Sequence, residues 1–278
     1  MTGRPVLVAA FFLAALASAG TLDPRTQEPR PGESRAHWIA RRVQDRDTGT
    51  DSRISMRMTL VDRRGRERQR ALTIKGLRGG PGRPLPGDRT LLHFTLPNDI
   101  RGTGFLVWEH PDGEDERFLY LPSLGRVRRI AGSEAQESFV GSDFTYEDIG
   151  GRELEDYTYT LVAEDETWTA PDGSRHAVWR LESKSTTPGA RFPRVVSLIR
   201  KDILIAVRAE IFNRRNERQK TFDAKRVEKV DGYWTVTAMT MADAAEGTRT
   251  DLIVDKAEYG VGLKPGDFSR VQLERGVR

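Results

Sequence analysis

Apolar and polar residues fall into two periods along this chain. Between Glu33 and Asp47, Ala36, Ile39, Ala40 and Val43 recur at the spacing of one helical face, with Trp38 beside them. Ser34 is placed to cap that helix, and Asp47-Thr48-Gly49 to end it. From Ile54 the period falls to two: Ile54, Met56, Met58 and Leu60 alternate with Ser55, Arg57 and Thr59, as in a half-buried strand. Asp62-Arg63-Arg64-Gly65-Arg66 reads as a turn, and Arg68, Arg70, Leu72 and Ile74 lie on one face of the returning strand. Similar runs continue to Val261, several separated by pairs such as Asp172-Gly173 and Asp231-Gly232, which favour tight hairpins. The pattern predicts a mainly β protein, an antiparallel meander of about eleven strands. A sheet of that size must curl or close. The early helix is expected to cover its open apolar side.

One region fits neither period. Residues 132–152, GSEAQESFVGSDFTYEDIGGR, carry Phe139, Phe144, Tyr146 and Ile149 among Gly, Ser and acidic residues. The segment is too polar for a core strand and too aromatic for an idle loop, so it reads as a cover or a binding loop.

The ends and the composition add the compartment. Arg4, an apolar run from Pro5 to Ala17, and Ala17-Ser18-Ala19 make the three parts of a secretory signal peptide, residues 1–19. The run is shorter than the ~20 residues that cross a bilayer. A Pro/Arg-rich linker, 20–32, then leads to a single domain, 33–278. Cysteine is absent, which excludes disulfides, thiolate zinc sites, a Cys nucleophile and a lipid anchor on a Cys after the leader. The net charge is +4, with basic and acidic residues nearly balanced and no concentrated basic stripe, so nucleic acid is not an expected partner. Weak attraction to anionic lipid head groups stays open.

Catalytic signatures are missing: there is no Gly-x-Ser-x-Gly, no Walker loop and no Gly-x-Gly-x-x-Gly opening a helix. His37, His93, His110 and His176 form no ligand pair. Asp143, Glu147 and Asp148 are the densest acidic group of the odd segment. Paired carboxylates can serve hydrolysis or bind Ca²⁺, but turn capping or pairing with nearby Arg126, Arg128 and Arg129 is the better account of them. No catalytic, cofactor or metal residue is assigned, and the protein is not expected to be an enzyme.

A binding role needs no such motif. The methionines after the leader fall in two i, i+2 pairs, Met56/Met58 and Met239/Met241, so each pair shares one strand face. Methionine suits surfaces that accept varied apolar shapes. Leu92, Phe94, Phe105, Val107, Phe118 and Tyr120 are candidates for the same side of a curved sheet; ordinary core packing is the alternative for each. Burying an acyl chain yields ~0.8 kcal/mol per methylene, on the order of 10 kcal/mol for about sixteen carbons before entropic costs. An apolar cavity calls for a lid. The lid candidates are the helix with Trp38, and the 132–152 loop with Phe139, Asp143, Phe144, Tyr146, Glu147 and Asp148.

The stretch FLYLPSLGRVRRI, residues 118–130, followed by SFVGSDFTYED, residues 138–148, resembles the outer-membrane lipoprotein-sorting protein family, LolA-like periplasmic carriers. The helix with its acidic/Gly end, the Met-bearing strand with its Gly turn, and Pro265-Gly-Asp-Phe-Ser269 add to the likeness, which spans roughly 34–273. The resemblance implies a strongly curved, half-open antiparallel β-barrel with helices over an apolar cavity. It also implies a soluble, monomeric periplasmic carrier of lipid or lipoprotein acyl chains between the inner and outer membranes, with an RND/MMPL-type inner-membrane exporter as partner. This branch is longer than the classical carrier and has its own GSDF-x-YED segment, so a free lipid is an alternative cargo. The competing reading is an adaptor that docks on such an exporter through that segment and holds no cargo.

Overall fold

The computed structural model describes residues 28–111 and 113–276, with the backbone of two short strand pieces at 8–9 and 16–18. The expected cleavage site at Ala19 and most of the linker lie outside the described residues.

The alternating runs become two meanders. The first comprises β1 (Asp51–Val61), β2 (Glu67–Leu77), β3 (Arg89–Leu96), β4 (Gly104–Trp108), β5 (Glu116–Leu121) and β6 (Arg126–Ile130). The second comprises β7 (Tyr157–Thr169), β8 (Arg175–Ser185), β9 (Arg194–Arg200), β10 (Ile205–Phe212), β11 (Arg218–Val230), β12 (Tyr233–Asp243) and β13 (Thr248–Tyr259). The last strand pairs antiparallel with the first, Arg249 opposite Val61 and Leu252 opposite Met58. One continuous path therefore runs from β7 through β13 and on from β1 to β6, thirteen strands rather than about eleven. Its two edge strands, β6 and β7, are not paired to each other, so the barrel is half-open. Register shifts in β7/β8, β11/β12 and β13/β1 mark bulges, which bend strands and let so long a sheet curl.

Local chemistry sets these elements. Along β1, Ile54, Met56, Met58 and Leu60 are buried while Arg53 and Arg57 face solvent, as the period-two pattern requires. Its turn closes because the Asp62 carboxylate accepts from the backbone N–H groups of Arg64 and Arg66, and Gly65 adopts φ 77°.

Both faces of the sheet carry apolar clusters. The inner cluster draws on both meanders, from Ile54, Leu92 and Phe105 to Val178, Ile205, Phe222 and Met241. The outer face is covered at two places. Helix α1 (Arg35–Gln44) is capped by Ser34, whose Oγ accepts from the His37 N–H at 3.1 Å. It packs Ala36, Trp38, Ile39, Ala40 and Val43 on Trp179, Leu181, Ile199 and Ala206. Those residues point away from the inner cluster, which holds the neighbouring Val178, Leu198, Ile205 and Val207. The helix expected to cover the interior thus lies on the opposite side of β8–β10, because these strands are apolar on both faces. The helix α3 (Arg270–Arg275) was not anticipated; its Leu273, with Phe268 from the turn before it, covers the outer face of the first meander against Leu91, Leu106 and Phe118. Gly104 makes room for this packing: a Cβ at that position would sit 2.6 Å from Leu273 Cδ1.

Candidate functional site

The inner wall gathers eight of the ten residues expected to line one apolar side. Met56, Met58, Leu92, Phe94, Phe105, Val107, Met239 and Met241 share one buried cluster. Cross-strand register brings the two methionine pairs together: Met239 lies opposite Leu252, and Leu252 opposite Met58, so one row crosses β12, β13 and β1. Phe118 and Tyr120 are corrections. Leu106 pairs with Phe118 and Phe105 with Leu119, so Leu119 turns inward while Phe118 and Tyr120 join the outer cluster under α3. Residues 118–121 are apolar in unbroken sequence, so the period could not choose a face.

The odd segment fills the interior. It links the two edge strands by passing across the inner face, with a short helix, α2 (Tyr146–Gly150), near its end. Phe139 and Phe144 are fully buried, at 0% exposure. The Phe139 ring lies 5.9 Å from that of Phe94, 5.4 Å from Phe105 and 5.5 Å from Tyr146. Tyr146 and Ile149 join the same cluster. At Gly150 an added Cβ would come 3.1 Å from Val107 Cγ2, so the backbone itself lies on the wall. The segment is a plug inside the sheet. Its aromatic residues point inward and offer no outward contact surface, contrary to the adaptor reading. Trp38 is no lid residue either: it stacks edge-on with Trp179 on the outer face, ring centroids 6.1 Å apart.

Polar contacts tie the plug to both meanders. The Asp143 carboxylate accepts from Thr250 Oγ1 at 2.6 Å and from Thr248 Oγ1 on β13. The Asp143 N–H donates back to Thr250 Oγ1 at 3.0 Å, and its carbonyl accepts from Lys220 Nζ on β11 at 2.6 Å. From β2, Arg70 Nη1 donates to the Val140 carbonyl at 2.7 Å. Gln136 Oε1 accepts from the Arg191 and Phe192 N–H groups. Burial pushes the Lys220 ammonium below its ordinary range, a shift opposed by Asp148, Asp243 and Asp143. At the other end of the plug, Arg152 lies between Glu147 at 2.9 Å and Asp148 at 2.9 Å, and the Tyr157 hydroxyl donates to Glu147. Burial alone would lower the Arg152 pKa, but Tyr157, Glu147 and Asp148 hold it above its ordinary value. Asp148 also closes a capping box with Thr145: its Oδ2 accepts from the Thr145 N–H and Thr145 Oγ1 from the Asp148 N–H.

The three acidic residues are therefore occupied, but by Arg152, Thr248 and Thr250 rather than by Arg126, Arg128 or Arg129; Arg128 pairs with Glu134. Among the described residues no group of His, Asp or Glu is placed to hold a metal. Arg70, Lys220, Thr248, Thr250 and Gln136 were not singled out from sequence, since an isolated polar residue in a strand gives no sign of a partner far along the chain.

A family model for an uncharacterized protein matches residues 86–275. No curated protein matches the chain significantly. Among solved structures it is similar to an outer-membrane lipoprotein-sorting protein domain from Vibrio parahaemolyticus, with 30% identity, a TM-score of 0.77, and 86% of this chain and 98% of that one covered. It is similar to a DUF1329 family protein from Desulfovibrio piger, with 29% identity, a TM-score of 0.75, and coverage of 85% and 97%. A LolA superfamily protein from Nitrosomonas europaea shares the fold, with a TM-score of 0.61 at 15% identity over 84% of this chain and 96% of that one. With its half-open barrel and plugged apolar interior, a fold it shares with the LolA superfamily protein, the chain belongs to the family of outer-membrane lipoprotein-sorting proteins.

Proposed function

We propose that the protein carries lipid or lipoprotein acyl chains across the periplasm, between the inner and outer membranes, as a soluble monomer released by cleavage after Ala19. The observation that carries this reading is the interior. A continuous apolar wall, including all four methionines of the described chain, is filled by a plug held through side chains at its tip rather than by membership of the sheet. Loading exchanges the aromatic residues of the plug for an acyl chain. The replaced contacts are apolar on both sides, so the exchange needs no specific donors. No described helix is long and apolar enough to cross a membrane.

Mass spectrometry of protein purified without detergent tests the proposal: co-purifying acyl lipid is expected. Phe94→Asp is expected to abolish loading while far-UV circular dichroism keeps its β signature. A lipid-free wild-type protein that also fails to bind a fluorescent fatty acid would overturn the reading.

A further inference from the structure

The turns at one end of the barrel differ from those at the other. At the end where β1 closes and β2 begins, three consecutive connections, 62–66, 97–103 and 122–125, form a stretch of rim. Leu96 and Leu124 stand on it 50% and 57% exposed. Their turns adjoin: a Cβ at Gly102 would lie 3.4 Å from Pro122 Cγ. Single exposed leucines are ordinary. Two on touching turns, set among arginines, make an apolar tip with a positive border.

The border is basic. On the body of the sheet Arg57, Arg180, Arg194 and Arg208 are paired with carboxylates, while Arg53, Arg68 and Arg129 stand exposed without one among the described residues. On the rim Arg63, Arg64, Arg101 and Arg126 are exposed and have no carboxylate partner among the described residues. Arg63, Arg64 and Arg66 also line an open hollow of about 360 Å³ with Asp62, Glu246 and Thr248, next to the Thr248–Asp143 contact that holds the plug. In the 109–115 turn at the opposite end, Glu109 and Asp115 are buried and Asp115 is paired with Arg117, so their charges are not presented to solvent.

We infer that this rim seats the protein on an anionic bilayer surface, with Leu96 and Leu124 at the acyl boundary and the arginines on lipid phosphates. The opposite end then faces away from the membrane. Guanidinium groups without protein partners are free to take phosphate bidentately, and each basic residue near an anionic leaflet adds about fivefold to partitioning. The inference rests on the carrier reading in one respect, that a carrier must visit a membrane; it also places the tip of the plug, at Asp143, on the side that meets the bilayer.

The test is co-sedimentation of the full-length exported protein with vesicles of phosphatidylethanolamine and phosphatidylglycerol, against vesicles of phosphatidylcholine alone. Binding to the anionic vesicles is expected to weaken with salt. Arg63→Ser/Arg64→Ser is expected to lower partitioning on the order of 25-fold, and Leu96→Asp/Leu124→Asp to abolish it. Val162→Asp, at a residue 53% exposed on the edge strand β7, is expected to leave it unchanged. Equal binding to phosphatidylcholine, no binding to either, or undiminished binding by both rim variants would overturn the inference. Mass spectrometry of the same preparations separates the two readings. Lipid-loaded protein that ignores vesicles keeps the carrier and removes the docking rim, whereas lipid-free protein that binds through the rim does the reverse.

Discussion

If the plug and the cargo compete for one apolar wall, trimming the plug must have opposite effects on stability and on loading. Phe139→Ala is the sharpest perturbation. The ring is at 0% exposure and packs on Phe94, Phe105 and Tyr146. Truncation of a buried Phe costs about 3–5 kcal/mol, and the urea midpoint should fall accordingly. A loaded protein with its plug displaced has already lost those contacts, so the same change shifts the plugged–unplugged balance toward the open form. Taking 3 kcal/mol, the apparent affinity for an acyl chain should rise by up to about a hundredfold. Fluorescence titration with a labelled fatty acid, beside urea denaturation of the empty protein, measures both. Affinity that stays constant or falls along with stability would refute competition and leave the segment as ordinary core.

The polar ties of the plug should be separable from its packing. Asp143→Ala removes a carboxylate that accepts from Thr248 and Thr250; at about 1.5–3 kcal/mol per charged hydrogen bond, amide exchange over 139–146 should accelerate while β8–β10 keep their protection. Uniform acceleration through the molecule would contradict a local tie. Arg152→Met strands Glu147 and Asp148 without their shared cation, so a loss of about 3–5 kcal/mol is expected by calorimetry or denaturant titration; a neutral outcome would show that water replaces the guanidinium. Glu33 gives a pH prediction. Burial alone would raise its carboxyl, but hydrogen bonds from Arg41, the Arg30 N–H and His37 outweigh it and bring the pKa down from 4.5 to about 2. The depressed value stabilises the folded state above the ordinary pKa, and that contribution disappears as pH falls from about 4.5 toward 2. Glu33→Gln should lower Tm at neutral pH and flatten its decline across that interval; parallel melting curves for variant and wild type would count against it.

What the sequence disclosed follows from which strands are buried on one face and which on two. In β1 and β12 polar or small residues alternate with Met56, Met58, Met239 and Met241, so the shared face could be read directly. Glu116–Leu121 is apolar on both sides from Phe118 onward, and only the register against β4 decides that Leu119 goes in and Phe118 out. The same ambiguity hid the seat of α1, whose amphipathic face was plain but whose docking site, Trp179, Leu181, Ile199 and Ala206, alternates with residues that serve the interior. The 132–152 segment stood out by composition because it must be apolar toward the wall and polar toward Lys220, Thr248 and Arg152. That it plugs the sheet rather than capping it depends on contacts with strands far along the chain, which no local pattern encodes.

The pairing of β13 with β1 has a consequence for biogenesis. The first long strand made sits in the middle of the finished sheet, yet one of its neighbours is the last strand made: Val61 waits for Arg249. Until then β1 shows an unpaired edge eleven residues long with four buried-type side chains along one face. Contacts so distant in sequence form slowly, and a waiting hydrophobic edge invites pairing with other chains. A chain made N-terminus first keeps that edge open until nearly all of it is available. The closing of the sheet at β1 is therefore the step most exposed to mispairing during synthesis.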